Sequence, residues 1–162
     1  MLSAGVANGE VVHDLQTCTL ANYKLENEMD LSELITIGTT REETFIVEEQ
    51  HTAYHIGSGD ELVLGTPWMI SFMERVSNRL VLASLPEGYM SVGTHVDVKH
   101  LAPTPVNSEI RVRVEILKVI KSWVTLQVDA WDHQDKIGEG IHRRAVVEKA
   151  RFMERVLSKR PE

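Results

Sequence analysis

The chain has 162 residues, 43% of them apolar and 25% charged, with a formal net charge of −7, which describes one globular domain large enough to bury a real core and too acidic for a general grip on nucleic acid. A single cysteine, Cys18, excludes an internal disulfide and a cysteine zinc cluster. No apolar run approaches the length that spans a membrane, and the first basic residue, Lys24, comes too late for the charged start of a signal or transit peptide, so a cytoplasmic protein is expected.

Residues 1–36 form an extension with little legible pattern, rich in small and polar residues, with a short helical turn expected from Asp30 to Ile35, capped by Asp30. The remainder, 37–162, reads as one domain. Thr44 to Glu49 predicts a first strand, continued in extended form from His51 to Ile56 and stopped by the turn residues Gly57 to Asp60.

The strongest helix signal follows, from Gly65 to Leu85. Thr66 before Pro67 is a start signal: the threonine hydroxyl suits a cap, and proline is pre-set for the first helical position. Met69, Phe72, Met73, Val76 and Leu80 then fall on one face, while Trp68 and Ile70 make the first turns apolar almost all round. Such a helix is expected to be wrapped by the rest of the fold. Its one charge in the apolar half is Glu74, which shares a side with Ile70, Ser77 and Val81, and a carboxylate there requires a partner, a water or a raised pKa.

Four β segments come next. Met90 to His100 alternates Val92, Thr94, Val96 and Val98 against Gly93, His95, Asp97 and Lys99, before Pro103 and Pro105 end it. Ile110 to Ile116, Val124 to Ala130 and Gly138 to Glu148 follow at short intervals, which predicts an antiparallel meander, and Lys149 to Lys159 predicts a short amphipathic helix. One buried helix ahead of a meander implies an α+β fold with the helix in the palm of a curved sheet.

This order resembles the hotdog fold of acyl-CoA thioesterases, and four motifs resemble the branch that contains the fluoroacetyl-CoA thioesterase. They are IGTTREETFIVEEQHT from Ile37, TPWMISFME from Thr66, GTHVDVKHLAPTP from Gly93 and GEGIHRRAVVEKARF from Gly138. The resemblance implies hydrolysis of an acyl-CoA thioester to acid and CoA, without cofactor, by a set in which Thr66 matches the catalytic threonine, Glu74 the acid and His100 the general base. Gly93 matches a glycine lining the site and Arg144 an arginine near it. The chemistry suits these types: an imidazole can take a proton at neutral pH, a carboxylate can orient it or activate water, and a helix N-terminus offers N–H groups to an oxyanion.

Each of these residues also has a purely structural reading. Thr66 is a helix cap whether or not it reacts, His100 sits at a strand end where surface histidines are common, and Gly93 suits a bulge or close approach. Arg144, on an alternating strand, suits a solvated face. His51 and His55 are four apart without the intervening glutamate of a zinc helix, and their segment reads extended, so no metal site is expected. Trp123 and Trp131 suit a core or interface. One sheet around one helix leaves a strand edge open, which predicts a homodimer or a dimer of dimers. The loop from Gly57 to Leu64, GSGDELVL, lacks the aromatic residues on which fluoroacetyl selectivity depends in the resembled family. A non-catalytic dimer that binds acyl thioesters is the alternative to an enzyme; no Asp and His pair of a hydratase is found.

Overall fold

The computed structural model describes residues 31–160. Its elements run α1 (Leu31–Leu34), β1 (Thr40–Ile46), α2 (Thr66–Leu82), β2 (Tyr89–His100), β3 (Glu109–Ile120), β4 (Trp123–Trp131), β5 (Lys136–Glu148) and α3 (Lys149–Leu157), with a single 3-10 turn at Glu49–His51. The five strands form one antiparallel sheet in the order β1-β3-β4-β5-β2, with β3, β4 and β5 as the expected meander. The α+β arrangement is present, with α2 against one face of the sheet. No helix among the described residues is long and apolar enough to cross a membrane.

Alternation builds the core from the sheet side. Ile110, Val112, Val114 and Ile116 of β3 and Val124, Leu126, Val128 and Ala130 of β4 are all buried, and they meet Met69, Phe72, Met73, Val76 and Leu80 of α2. Burying each large apolar side chain is worth roughly 1.5–3 kcal/mol, so this double row dominates the stabilisation of the fold. Gly138 lets the start of α2 settle on β5, because a Cβ there would stand 2.5 Å from Met69 Sδ. Leu31 and Ile35, held in one turn by the Ile35 N–H to Leu31 carbonyl bond of 2.8 Å, join the same core; the Asp30 cap falls outside the described residues.

Four expectations are corrected. The first strand begins at Thr40, where Arg41, Glu43 and Phe45 pair with Val114, Val112 and Ile110, and it ends at Ile46. The segment from His51 to Ile56 is not extended: it coils into turns closed by the bridge of Thr52 with Leu64, and His51 packs its ring 4.4 Å from Trp68 and 5.1 Å from Phe72. Of the core and interface readings of Trp131, the core one fails: the residue lies on the outer face, with Arg111 4.5 Å and Lys136 5.7 Å from its ring.

The fourth correction shapes the site. The alternation read along β2 breaks at Thr94, where a bulge lets Gly93 pair with Arg144 and His95 with Arg143. Ser91 and Gly93 therefore face the helix before the bulge, and Val96, Val98 and His100 face it afterwards, opposite His142, Gly140 and Gly138.

Phe72 anchors the helix face, stacked on Phe45 at 4.4 Å. Phe72→Ala is expected to destabilise the fold by about 3–5 kcal/mol, read as a lowered midpoint in urea unfolding with an unchanged slope.

Candidate active site

Thr66 is the first helical residue rather than the cap. The cap position belongs to Gly65, in extended backbone and with no side-chain cap bond, so the expected capping role of Thr66 is corrected. Its hydroxyl lies instead 2.8 Å from His100 Nδ1, a contact made across 34 residues of sequence. His100 ends β2 on the helix-facing side, steadied by the Leu101 N–H to Ile137 carbonyl bond of 2.8 Å.

Burial lowers the His100 pKa below the ordinary 6.5, partly opposed by the backbone at Ala102, so the ring is neutral at pH 7. With the Thr66 hydroxyl as donor, Nδ1 carries the lone pair and Nε2 the proton. Nε2 is buried and has no hydrogen-bond partner among the described residues. The pair opens on a cavity of about 420 Å³ lined by Ala53, Val63, Leu101, Ala102 and Pro103, with no aromatic residue in its wall. The helix N-terminus offers less than its sequence promised. Pro67 has no N–H, and those of Trp68 and Met69 both go to the Gly65 carbonyl, at 2.9 and 3.1 Å, which leaves the N–H of Thr66.

Glu74 stands elsewhere. Eight helical residues carry it about 12 Å along α2 from Thr66, so one chain does not bring it to the Thr66–His100 pair. Its side chain keeps 42% of its surface exposed, less wrapped than the apolar helix pattern implies, and its Oε1 lies 3.6 Å from His142 Nε2. Gly93 borders it closely: a Cβ there would stand 2.5 Å from Glu74 Oε1 and 3.2 Å from His142 Cε1. Glycine here is a close-approach residue beside a bulge, so both structural readings of Gly93 hold.

Arg144 is only 5% exposed, which corrects the solvated-face reading. Register explains it, since Arg144, His142 and Gly140 share the helix-facing side of β5 with Gly93 opposite. The guanidinium donates to Ser91 Oγ at 2.9 Å, to the Ser91 carbonyl and Asn78 Oδ1 at 3.0 Å each, and lies 3.0 Å from His142 Nε2. His142, Ser91 and Asn78 were missed in the sequence, although the two-residue spacing of His142 and Arg144 placed them on one strand face.

The described residues thus hold two half-sites along α2, one at its start and one at its middle: Thr66 with His100, and Glu74 with Gly93, His142 and Arg144. Among the described residues no group of three or more His, Cys, Asp or Glu side chains is placed to hold a metal ion.

Residues 47–150 match a family model described as fluoroacetyl-CoA-specific thioesterase. A fluoroacetyl-CoA thioesterase of Streptantibioticus cattleyicolor is 34% identical over 99 residues, 61% of this chain and 71% of that protein. A solved structure of a fluoroacetyl-CoA thioesterase superposes with a TM-score of 0.73 at 30% identity, covering 78% of this chain and 98% of the other. A hot-dog-like protein from Thermanaerovibrio acidaminovorans superposes with a TM-score of 0.76 at 26% identity, over 83% of this chain and 99% of its own. The hotdog fold implied by the element order is therefore the fold of this chain.

Two outcomes follow from the geometry. Because the atom nearest a Gly93 Cβ is the end of a flexible side chain, Gly93→Ala is expected to shift the melting temperature by no more than a few degrees while displacing the Glu74 carboxylate; calorimetry checks the first and a crystal structure of the variant the second. His100 and His142 are both held below the ordinary 6.5 by burial, so the unfolded chain binds more protons as pH falls through that value. Their contribution is complete above about 6.5 and is lost below it, and His142→Gln is expected to give a shallower decline of melting temperature between pH 7 and 5.

Proposed function

The chain belongs to the fluoroacetyl-CoA-specific thioesterase family, and from that premise we propose that it hydrolyses an acyl-CoA thioester with Thr66, His100 and Glu74 as the catalytic set. The observation that carries the assignment is the 2.8 Å contact between the Thr66 hydroxyl and a neutral His100 beside an open cavity. In this reading His100 Nδ1 takes the Thr66 proton as Oγ1 bonds to the thioester carbonyl carbon. The Thr66 N–H faces the developing oxyanion. Collapse breaks the C–S bond, and the CoA thiolate leaves with the proton from His100. Water activated by Glu74 then cleaves the acyl-threonine ester to free acid and restores the hydroxyl.

Glu74 of the same chain is too far along α2 to do this. The 12-residue β2 is an open edge of the sheet that carries Gly93 and has Glu74 beside it, so pairing two β2 edges in a two-fold dimer brings Glu74 of a second copy toward the Thr66–His100 pair. Nε2 of His100 is buried within its own chain, which supports a role for that Glu74 with water rather than with the imidazole. The non-aromatic cavity wall favours acyl groups chosen by size over a requirement for fluorine, with short or branched chains ahead of long ones.

Four measurements test the proposal. Free thiol released from a panel of acyl-CoA esters gives the acyl preference, and faster turnover of a sixteen-carbon ester than of acetyl or butyryl esters would overturn the size argument. Thr66→Ala and His100→Ala are each expected to lower kcat by roughly 10²-fold or more, and Glu74→Gln to accumulate an acyl adduct on Thr66 in intact-mass spectra. Refolding Thr66→Ala and Glu74→Gln chains mixed in equal amounts should restore about a quarter of wild-type activity, since about half the dimers are mixed and each holds one native shared site. No recovery, with mixed dimers shown to have formed, would reject a shared site.

A further inference from the structure

Arg144 poses an electrostatic problem that its hydrogen bonds do not solve. It is a nearly buried cation whose partners, Ser91 Oγ, the Ser91 carbonyl, Asn78 Oδ1 and His142 Nε2, are all neutral acceptors. No carboxylate among the described residues lies within 4 Å of its guanidinium, yet Glu74 stands just beyond the imidazole of His142. A buried arginine is normally stabilised by a direct carboxylate pair, and here one is available but kept off.

His142 is what stands between them, and its tautomer is determined by geometry. Nδ1 lies 2.9 Å from the His95 carbonyl, which only accepts, so Nδ1 carries the proton. Nε2 then holds a lone pair, and Arg144 Nη1, which only donates, fills it at 3.0 Å. The ring is 1% exposed, and burial together with the Arg144 charge keeps it neutral, although the His95 carbonyl and Glu74 act in the opposite direction. A neutral ring so engaged has no proton to give Glu74 at 3.6 Å. Its edge and the missing Cβ of Gly93 form a shallow seat for the carboxylate, which feels the arginine's charge without being bonded by it.

We infer that His142 is a positioning residue that insulates Glu74 from Arg144: it occupies the guanidinium with an acceptor and holds the carboxylate unligated toward the open side of the site. This rests on the reading of Glu74 as a member of the catalytic set. Without the spacer, Arg144 Nη1 and Glu74 close into a direct ion pair, and a carboxylate bonded that way is a poorer base for water. The titratable and charged groups around His142 are Glu74 of α2, His95 of β2 and Arg144 of its own strand, so a change in the pH profile has few sources.

The test uses the full chain and two readouts. Crystal structures of His142→Ala and of His142→Leu, which removes the acceptor while keeping much of the volume, are expected to place Glu74 within 4 Å of the Arg144 guanidinium. In kinetics, both variants are expected to lose kcat about tenfold or more with kcat/KM for the acyl-CoA changed less than about threefold, since Glu74 acts after CoA has left, and to move the acid limb of the kcat profile to lower pH. His142→Gln, whose amide oxygen can accept from Arg144, should keep most of kcat. In an Arg144→Met background, adding His142→Leu should cost less than about threefold, because no cation is left to capture the carboxylate. The inference is overturned if Glu74 stays apart from Arg144 in both crystal structures, if the acid limb does not move, or if the loss is undiminished in the Arg144→Met background. Full activity in Glu74→Gln would instead reject the catalytic role of Glu74, and the crystallographic comparison would still decide whether His142 separates the two charges.

Discussion

A strand places its side chains on alternate faces, and the site depends on one violation of that rule. Gly93 and His100 are seven residues apart, an odd number, so an unbroken β2 would turn one of them away from α2. The bulge at Thr94 supplies the extra residue, and both then face the helix against β5. The irregularity is satisfied locally: the Thr94 hydroxyl donates to the Arg143 carbonyl at 3.0 Å, and the His95 carbonyl accepts a hydrogen bond from His142 Nδ1–H. A local defect in the ladder thus serves both half-sites.

Helix α2 divides the chemistry by distance. At its start, burial keeps His100 neutral beside a hydroxyl that the backbone does not need. Farther along, a carboxylate sits beside a buried cation with a neutral ring between them. The two environments differ because one is made of main-chain carbonyls and apolar walls and the other of a polar network anchored on β2 and β5. Network members of this kind act together, since each donor or acceptor removed leaves a buried partner unpaired.

Carboxylates away from the site obey the same electrostatics with a different outcome. Glu43 faces the helix from β1, where burial alone would raise its pKa, but Arg41 at 2.6 Å and Arg79 outweigh that and hold it below the usual range. There a direct ion pair ties a strand to the helix. Around Arg144 the corresponding pair is not formed. The contrast separates a carboxylate used for structure from one proposed to act on water.

Much of the fold was legible along the chain, because the burial of a meander strand follows from a two-residue period and that of α2 from a helical one. Ile110 to Ile116 and Val124 to Ala130 are buried as their alternation requires, and the row from Met69 to Leu80 is buried as its spacing requires. Thr66, Glu74, Gly93, His100 and Arg144 all stood out by residue type or by resemblance to a family. What periodicity could not express was any feature that arises from pairing between distant segments. The bulge at Thr94 exists only in the register of β2 with β5, the burial of Arg144 only because Gly93 stands opposite it, and the freedom of the Thr66 hydroxyl only because Gly65 takes the cap. Tertiary structure alone decided that Thr66 meets His100 and that Glu74 meets His142, since these contacts cross 34 and 68 residues and no local pattern encodes a distance of that kind.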